Sequence, residues 1–232
     1  MNLPKKTVEN VIIGEKYYRI LKEPLSSRGI KCITIPKNKS VEWQLNSHAD
    51  IQIIHIKDNI FVCEPSINVD FDVIYGETML KKGYPNNISY NGLLIGNHFF
   101  HKLDSTDCKI LEKLEDINLH NVKQGFSKCS TLVLGEKLAI TADKGMFKAL
   151  KDAQIETLLI DEGYVDLQGY DYGFIGGSGF LSDENTVCFT GRLDHHPSYD
   201  KIVEFITMNN IQIDYLTNEK IFDVGSILPI FF

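Results

Sequence analysis

Among the side chains of this 232-residue chain that could do acid–base or nucleophilic chemistry, four fall in matching places: His48, Asp50, Lys128 and Ser226. His48 and Asp50 are two residues apart, so on an extended segment an imidazole and a carboxylate point the same way and can share a proton. Lys128 stands in the same relation to Ser130. The hydroxyl of Ser226 is a weak nucleophile unless a base lies beside it. Cys129 sits between Lys128 and Ser130, where a neighbouring ammonium would activate a thiol. Alternation along a strand, however, turns it away from Lys128 and toward covering helices, where apolar burial disfavours the thiolate. Cys129 is therefore expected to be a small core residue, slow toward alkylation.

The elements that must hold these residues recur five times. Each segment runs through a short polar lead-in, an apolar strand, a second strand, a helix-like stretch and a third strand. The clearest one takes Thr131–Leu134 and Leu138–Thr141 as strands and Asp143 as a helix cap. Gly145–Asp152 follows as the helix, with Met146, Phe147 and Leu150 at helical spacing, and Glu156–Ile160 closes the unit. A second unit has strands at Asp50–Ile56 and Ile60–Cys63, a turn at Lys57-Asp58-Asn59 and a helix within Ile67–Lys82. A third uses Asn91–Ile95 and His98–His101, a helix over Thr106–Leu114 and a strand at Asn121–Lys123. A fourth uses Phe180-Leu181, Thr186–Thr190, a helix from Pro197 to Met208 and Ile211–Leu216. The fifth is split: Ser226–Phe231 joins Asn10–Ile13, a helix over Lys16–Leu21 and Lys31–Ile35.

The fold class expected from this pattern is α/β, a five-fold pseudosymmetric α/β-propeller of strand–strand–helix–strand units. Residues 1–232 would form one domain, closed by pairing of the N- and C-terminal segments so that no sheet edge is left free. In register, the residue opening each first strand is Asp50, Asn91, Ser130, Ser178 and Ser226, all small and polar. Such residues often do no more than cap turns, but five in one register would also line a common axis. Gly176-Gly177 lets the backbone approach whatever fills the centre. The expected ligand-binding set is thus His48, Asp50, Asn91, Lys128, Ser130, Gly176, Gly177, Ser178, Asp223 and Ser226.

Composition narrows the partners. A net charge of −7 with scattered lysines argues against a nucleic-acid surface, which needs a basic stripe. No apolar run approaches the ~18 residues of a membrane span. Five cysteines without a Cys-x-x-Cys pair fit reduced thiols and a cytoplasmic location. His195-His196 lacks the further ligands of a metal site, and Gly173–Gly179 lacks the lysine of a phosphate loop, so no metal and no cofactor are expected. His98 and His101 read as packed or rim residues, and the acidic run Asp161-Glu162 as solvated.

Several phrases resemble a known group. These are Gln124–Ser130, Ile140–Gly145, Gly169–Gly179 and Asp223–Pro229. Together with the five units they are similar to a bacterial family without assigned activity within the pentein fold of amidinotransferases, arginine deiminases and dimethylargininases. The resemblance implies a nucleophilic cysteine on the C-terminal strand, a histidine acid–base and carboxylates that hold a guanidinium. Here that strand reads Val224–Leu228 without cysteine, lysine stands at a histidine position, and His48-Ala49-Asp50 looks like the deiminase His-x-Asp in another repeat. No turnover of arginine, agmatine or methylated arginines by the cysteine route is expected. Two readings follow: a small-molecule-binding or regulatory module that has lost the chemistry, or a hydrolase or transferase for a small amine, guanidine or amino-acid derivative. Either one places a small molecule in the central pocket.

Overall fold

The computed structural model describes residues 3–58 and 60–230. The chain opens with β1 (Asn10–Gly14), α1 (Tyr18–Ser26) and β2 (Lys31–Ile35), followed by β3 (Ile53–Lys57), β4 (Ile60–Cys63) and β5 (Ile74–Tyr75). Next come β6 (Leu93–Ile95), β7 (His98–His101), α2 (Cys108–Leu111) and β8 (Asn118–Asn121). The fourth run is α3 (Ser127–Ser130), β9 (Thr131–Gly135), β10 (Leu138–Thr141), α4 (Lys144–Asp152) and β11 (Glu156–Leu159). The last is β12 (Gly179–Asp183), β13 (Thr186–Phe189), α5 (Tyr199–Met208), β14 (Gln212–Tyr215) and β15 (Leu228–Ile230).

These strands form five three-stranded sheets, ordered β15-β1-β2, β3-β4-β5, β6-β7-β8, β9-β10-β11 and β12-β13-β14. In every sheet the middle strand is antiparallel to one neighbour and parallel to the other. The two ends of the chain meet in one sheet, with Asn10 opposite Ile230 and Ile12 opposite Leu228. That pairing gives the C-terminal strand a fixed register beside β1, as the split fifth unit requires.

Local signals explain the regular units. The Asp143 carboxylate accepts from the Met146 amide at 2.7 Å, satisfying an orphan donor at the start of α4. Met146 and Leu150 then bury one face of that helix. Apolar side chains join neighbouring sheets: Leu132 and Ile140 pack in one cluster with Leu181, Val187, Phe189 and the inner face of α5. Among the described residues no helix is long and apolar enough to cross a membrane.

Three expectations about elements need correction, the simplest being that the third unit closes on Asn118–Asn121 rather than Asn121–Lys123. Residues 67–82 hold no helix; the segment is irregular, with bends at Asp70, Phe71, Glu77 and Lys82, and contributes only the short β5. Val69, Phe71 and Val73 alternate with polar residues and pack on the cluster of Ile12, Ile35, Ile53 and Phe61, and a period of two belongs to extended chain. The helix expected over Thr106–Leu114 shortens to α2, capped by Asp107 through the Lys109 amide at 2.9 Å. Asn59 of the expected turn, Phe231 of the expected last strand, and Met1, Asn2 and Phe232 of the expected domain lie outside the described residues.

Candidate functional site

None of the residues ahead of the five first strands lies in its strand, and three of them stand in or beside a helical turn. Asp50 belongs to a 3-10 turn over Ala49–Ile51, Ser130 ends α3, and Ser178 follows a 3-10 turn over Ile175–Gly177. Asn91 and Ser226 each stand two residues ahead of their strand. A turn rotates successive side chains by about 100° where a strand alternates them by 180°, and this difference decides which groups meet.

Asp50 is the hub. Its Oδ2 accepts from Ser226 Oγ at 2.5 Å and from Cys129 Sγ at 2.8 Å. Lys128 Nζ donates to Ser226 Oγ at 3.1 Å and to the Gly176 carbonyl at 3.1 Å. Asn91 Oδ1 accepts from the amides of Lys128 and Cys129, and its Nδ2 lies 3.4 Å from the thiol. His48 Nε2 faces Tyr17 Oη at 3.3 Å, and His48 Nδ1 lies 3.9 Å from Asp223 Oδ1. Asp223 in turn accepts from the amides of Phe174 and Gly225, tying the glycine–tyrosine loop to the turn that carries Ser226.

Backbone shape serves the same convergence. Ser226 has φ +65 and follows Gly225 at φ +68, a left-handed conformation that only glycine adopts freely. A Cβ on Gly225 would stand 2.2 Å from His48 Cβ. On Gly176 it would stand 2.3 Å from the Thr131 carbonyl oxygen, and on Gly177 2.0 Å from Asp223 Oδ1. The Gly177 carbonyl also accepts from the amides of Val224 and Ser226.

Of the ten expected residues, the structure brings His48, Asp50, Asn91, Lys128, Gly176, Asp223 and Ser226 together, with Gly177 as their backbone support. Ser130 and Ser178 instead donate to the Ser127 and Ile175 carbonyls of their own turns, the capping behaviour of their residue type. Cys129 corrects the sequence reading. It faces Asp50 rather than the helices, because Ser127–Ser130 is a helical turn in which adjacent Lys128 and Cys129 both reach the centre. Tyr17 was also missed, its only signal being a tyrosine at the start of a helix-like stretch.

Burial sets the electrostatics. It pushes His48 down to about 4 and Asp223 up to about 6, raises Asp50, lowers Lys128 and lifts the Cys129 thiol well above its usual range. Asp50, Asn91, Cys129 and Ser226 are at most 2% exposed, whereas Lys128 is half-buried. A cavity of about 70 Å³ adjoins them, lined by Asp50, Lys128 and apolar residues from all five first strands, among them Ile53, Leu94, Leu132, Phe180 and Leu228.

Slow alkylation of Cys129 is still expected, now for access and protonation rather than facing. Native protein treated with iodoacetamide should label the exposed Cys108 first, read by peptide mass spectrometry. Preferential labelling of Cys129 would show that the site opens and that its thiol ionises readily.

With this geometry in hand, relatives can be placed. The model of a family of unknown function, DUF6873, matches residues 12–228. The chain belongs to that family. Comparison with curated protein sequences finds none similar to it. Solved structures are similar in fold. SxtG, an amidinotransferase from Microseira wollei, has a TM-score of 0.54 at 8% identity over 100% of this chain and 99% of its own. DDAH from Pseudomonas aeruginosa, complexed with citrulline, gives 0.56 at 8% over 97% and 100%. The inosamine-phosphate amidinotransferase StrB1 from Streptomyces griseus gives 0.52 at 10% over 100% and 96%. This DUF6873 chain therefore has the mixed α/β pentein fold of five small sheets.

Proposed function

We propose that the protein is an enzyme performing hydrolysis or group transfer on a small amine, guanidine or amino-acid derivative, with the five sheets closed into a ring around the site. One observation carries the reading: the Ser226 hydroxyl lies 2.5 Å from a carboxylate oxygen of Asp50 and 3.1 Å from Lys128 Nζ. Asp50 would take the hydroxyl proton as Oγ bonds to the substrate carbon, and the Lys128 ammonium would steady the negative charge developing on Oγ. The proton held by Asp50 would pass to the amine that departs as its C–N bond breaks. Asp50 and Asp223 offer the negative charge that a cationic substrate would meet. The names of the two amidinotransferases make guanidines and amines the first compounds to try. Serine rather than cysteine precedes the C-terminal strand, so the reading expects no citrulline or ornithine from arginine by a nucleophilic cysteine at that position.

A second reading, a binding or regulatory module, draws on the burial of the same groups. One experiment separates the two. A thermal-shift panel of amino acids, guanidines and polyamines should find a stabilising ligand, because a ligand raises the stability of the state it binds. Product assays on that ligand should then show turnover that falls by at least about a hundredfold in Ser226→Ala, with the thermal shift retained. A shift without turnover would favour the module, and a silent panel would sink the proposed substrate class.

A further inference from the structure

We propose that His48, Asp50 and Cys129 bind a borderline-soft divalent cation of the Zn2+ class. One donor atom from each lies within 4.8 Å of the other two. Imidazole nitrogen, carboxylate oxygen and thiolate sulfur are the donors this class of ion accepts, and three protein ligands leave a fourth position for water or substrate. The sulfur argues against Mg2+ and Ca2+, which prefer oxygen ligands alone.

Two buried atoms point independently to a ligand. His48 Nδ1 and Asp50 Oδ1 have no hydrogen-bond partner, although both residues are only 1% exposed. Buried polar atoms are nearly always satisfied, and these two belong to the same three-residue cluster. A cation would satisfy both. Asp50 then divides its work, with Oδ1 on the ion and Oδ2 still accepting from Ser226.

The charges balance with the ion in place. Two carboxylates (Asp50 and Asp223) and a thiolate at Cys129 offset a dication and the Lys128 ammonium. Loading breaks the Sγ–H bond of Cys129 and forms an Sγ–metal bond. The proton leaves to solvent, and no oxidant or reductant is involved. This inference goes beyond the enzyme reading and does not rest on it, since a metal-holding module without turnover satisfies it equally.

The test uses the full chain. Protein expressed with added zinc should retain about one zinc per chain by elemental analysis, as a three-ligand site predicts. Metal-stripped protein titrated with Co2+ should develop a near-ultraviolet sulfur-to-cobalt charge-transfer band together with visible bands of a four-coordinate ion. Cys129→Ser should lose the near-ultraviolet band, and Cys108→Ser, at the exposed thiol, should keep it. His48→Gln should weaken Co2+ binding at least about tenfold, since even outer-shell changes at metal sites cost that much. Should a site variant fail to fold, the wild type supplies the readout: dipicolinic acid should lower its unfolding temperature and Zn2+ should restore it. Ser226→Ala should still bind Co2+ while losing any turnover, which separates this inference from the catalytic one. The proposal is overturned if wild-type protein shows no near-ultraviolet band with Co2+. It is equally overturned if a folded Cys129→Ser protein keeps the band, or if chelator leaves the unfolding temperature unchanged.

Discussion

Replacing Lys128 by methionine is expected to destabilise the protein by about 2–4 kcal/mol at neutral pH. The figure is the penalty for leaving a buried charge without its partner, reduced for the partial exposure of the lysine. Lys128 Nζ reaches Asp50 through Ser226, and Asp50 is 1% exposed. In metal-free protein lacking the ammonium, Asp50 and Asp223 face each other's charge unbalanced. Both carboxyls already have raised pKa values, and loss of the lysine raises them further. A carboxyl whose folded pKa exceeds its unfolded one is destabilising above the folded pKa and is relieved as pH falls through it. The deficit of Lys128→Met should therefore shrink as pH falls toward about 6, because Asp223 takes up its proton at a higher pH in the variant than in the wild type, where its pKa is about 6. Adding Asp50→Asn should recover at least half of the neutral-pH loss, because it removes the charge the lysine balances. Urea unfolding of wild type, both singles and the double at two pH values reads all of this. A Lys128→Met deficit below about 1 kcal/mol at neutral pH would mean that the amine does not balance these carboxylates.

The fold was legible because each unit repeats a pattern with a physical basis. Thr131–Leu134 is β-branched and apolar, Asp143 caps a helix, and Met146 and Leu150 fall on one helical face, as the structure has them. Terminal pairing was legible because the C-terminal apolar run had no partner of its own in sequence, and β15 pairs with β1. The segment over residues 67–82 was misread because its length suits a helix. Its alternation of apolar and polar residues, the better guide, is that of extended chain packed on a neighbouring cluster.

The site was legible at the level of residues and misread at the level of direction. His48, Asp50, Asn91 and Ser226 are buried polar groups and Lys128 a half-buried one, all in or beside matching places, and chemistry concentrates where polar groups are placed against the cost of burial. What alternation could not supply was the local turn. Strand geometry makes Lys128 and Cys129 opposites, whereas a single turn of helix brings both to Asp50. Ser130 and Ser178 show the converse: shared register with Asp50 did not bring them into its network, because each hydroxyl found a carbonyl three residues back. Register finds the turn. It does not say what the side chain bonds.

Acidification below neutral pH is expected to destabilise the wild-type protein by about 1–3 kcal/mol per pH unit near pH 5. Burial is the largest cause holding His48, His55 and His101 down to about 4, against 6.5 for a free imidazole. Between those values the unfolded chain binds protons that the folded chain refuses, so stability present above pH 6.5 is lost as pH falls toward 4. His120 and His196 are lowered too and act in the same direction. Asp223 and Asp50 oppose them. Their raised pKa values let the folded state take up protons first, over the window from about 6 to 3.8 for Asp223. The histidines outweigh the carboxylates, leaving a net of roughly one or two protons favouring the unfolded state, each worth about 1.4 kcal/mol per pH unit. His101 offers the cleanest control. Its ring nitrogens contact Thr106 Oγ1 at 2.7 Å and the Gly125 carbonyl at 3.0 Å, away from Asp50. His101→Gln should reduce the pH slope by about one proton's worth, even if it lowers stability at every pH. Urea midpoints measured from about pH 7 to pH 5 decide the matter. A flat or rising stability on acidification would mean that the buried carboxyls, and not the histidines, govern the proton balance of the fold.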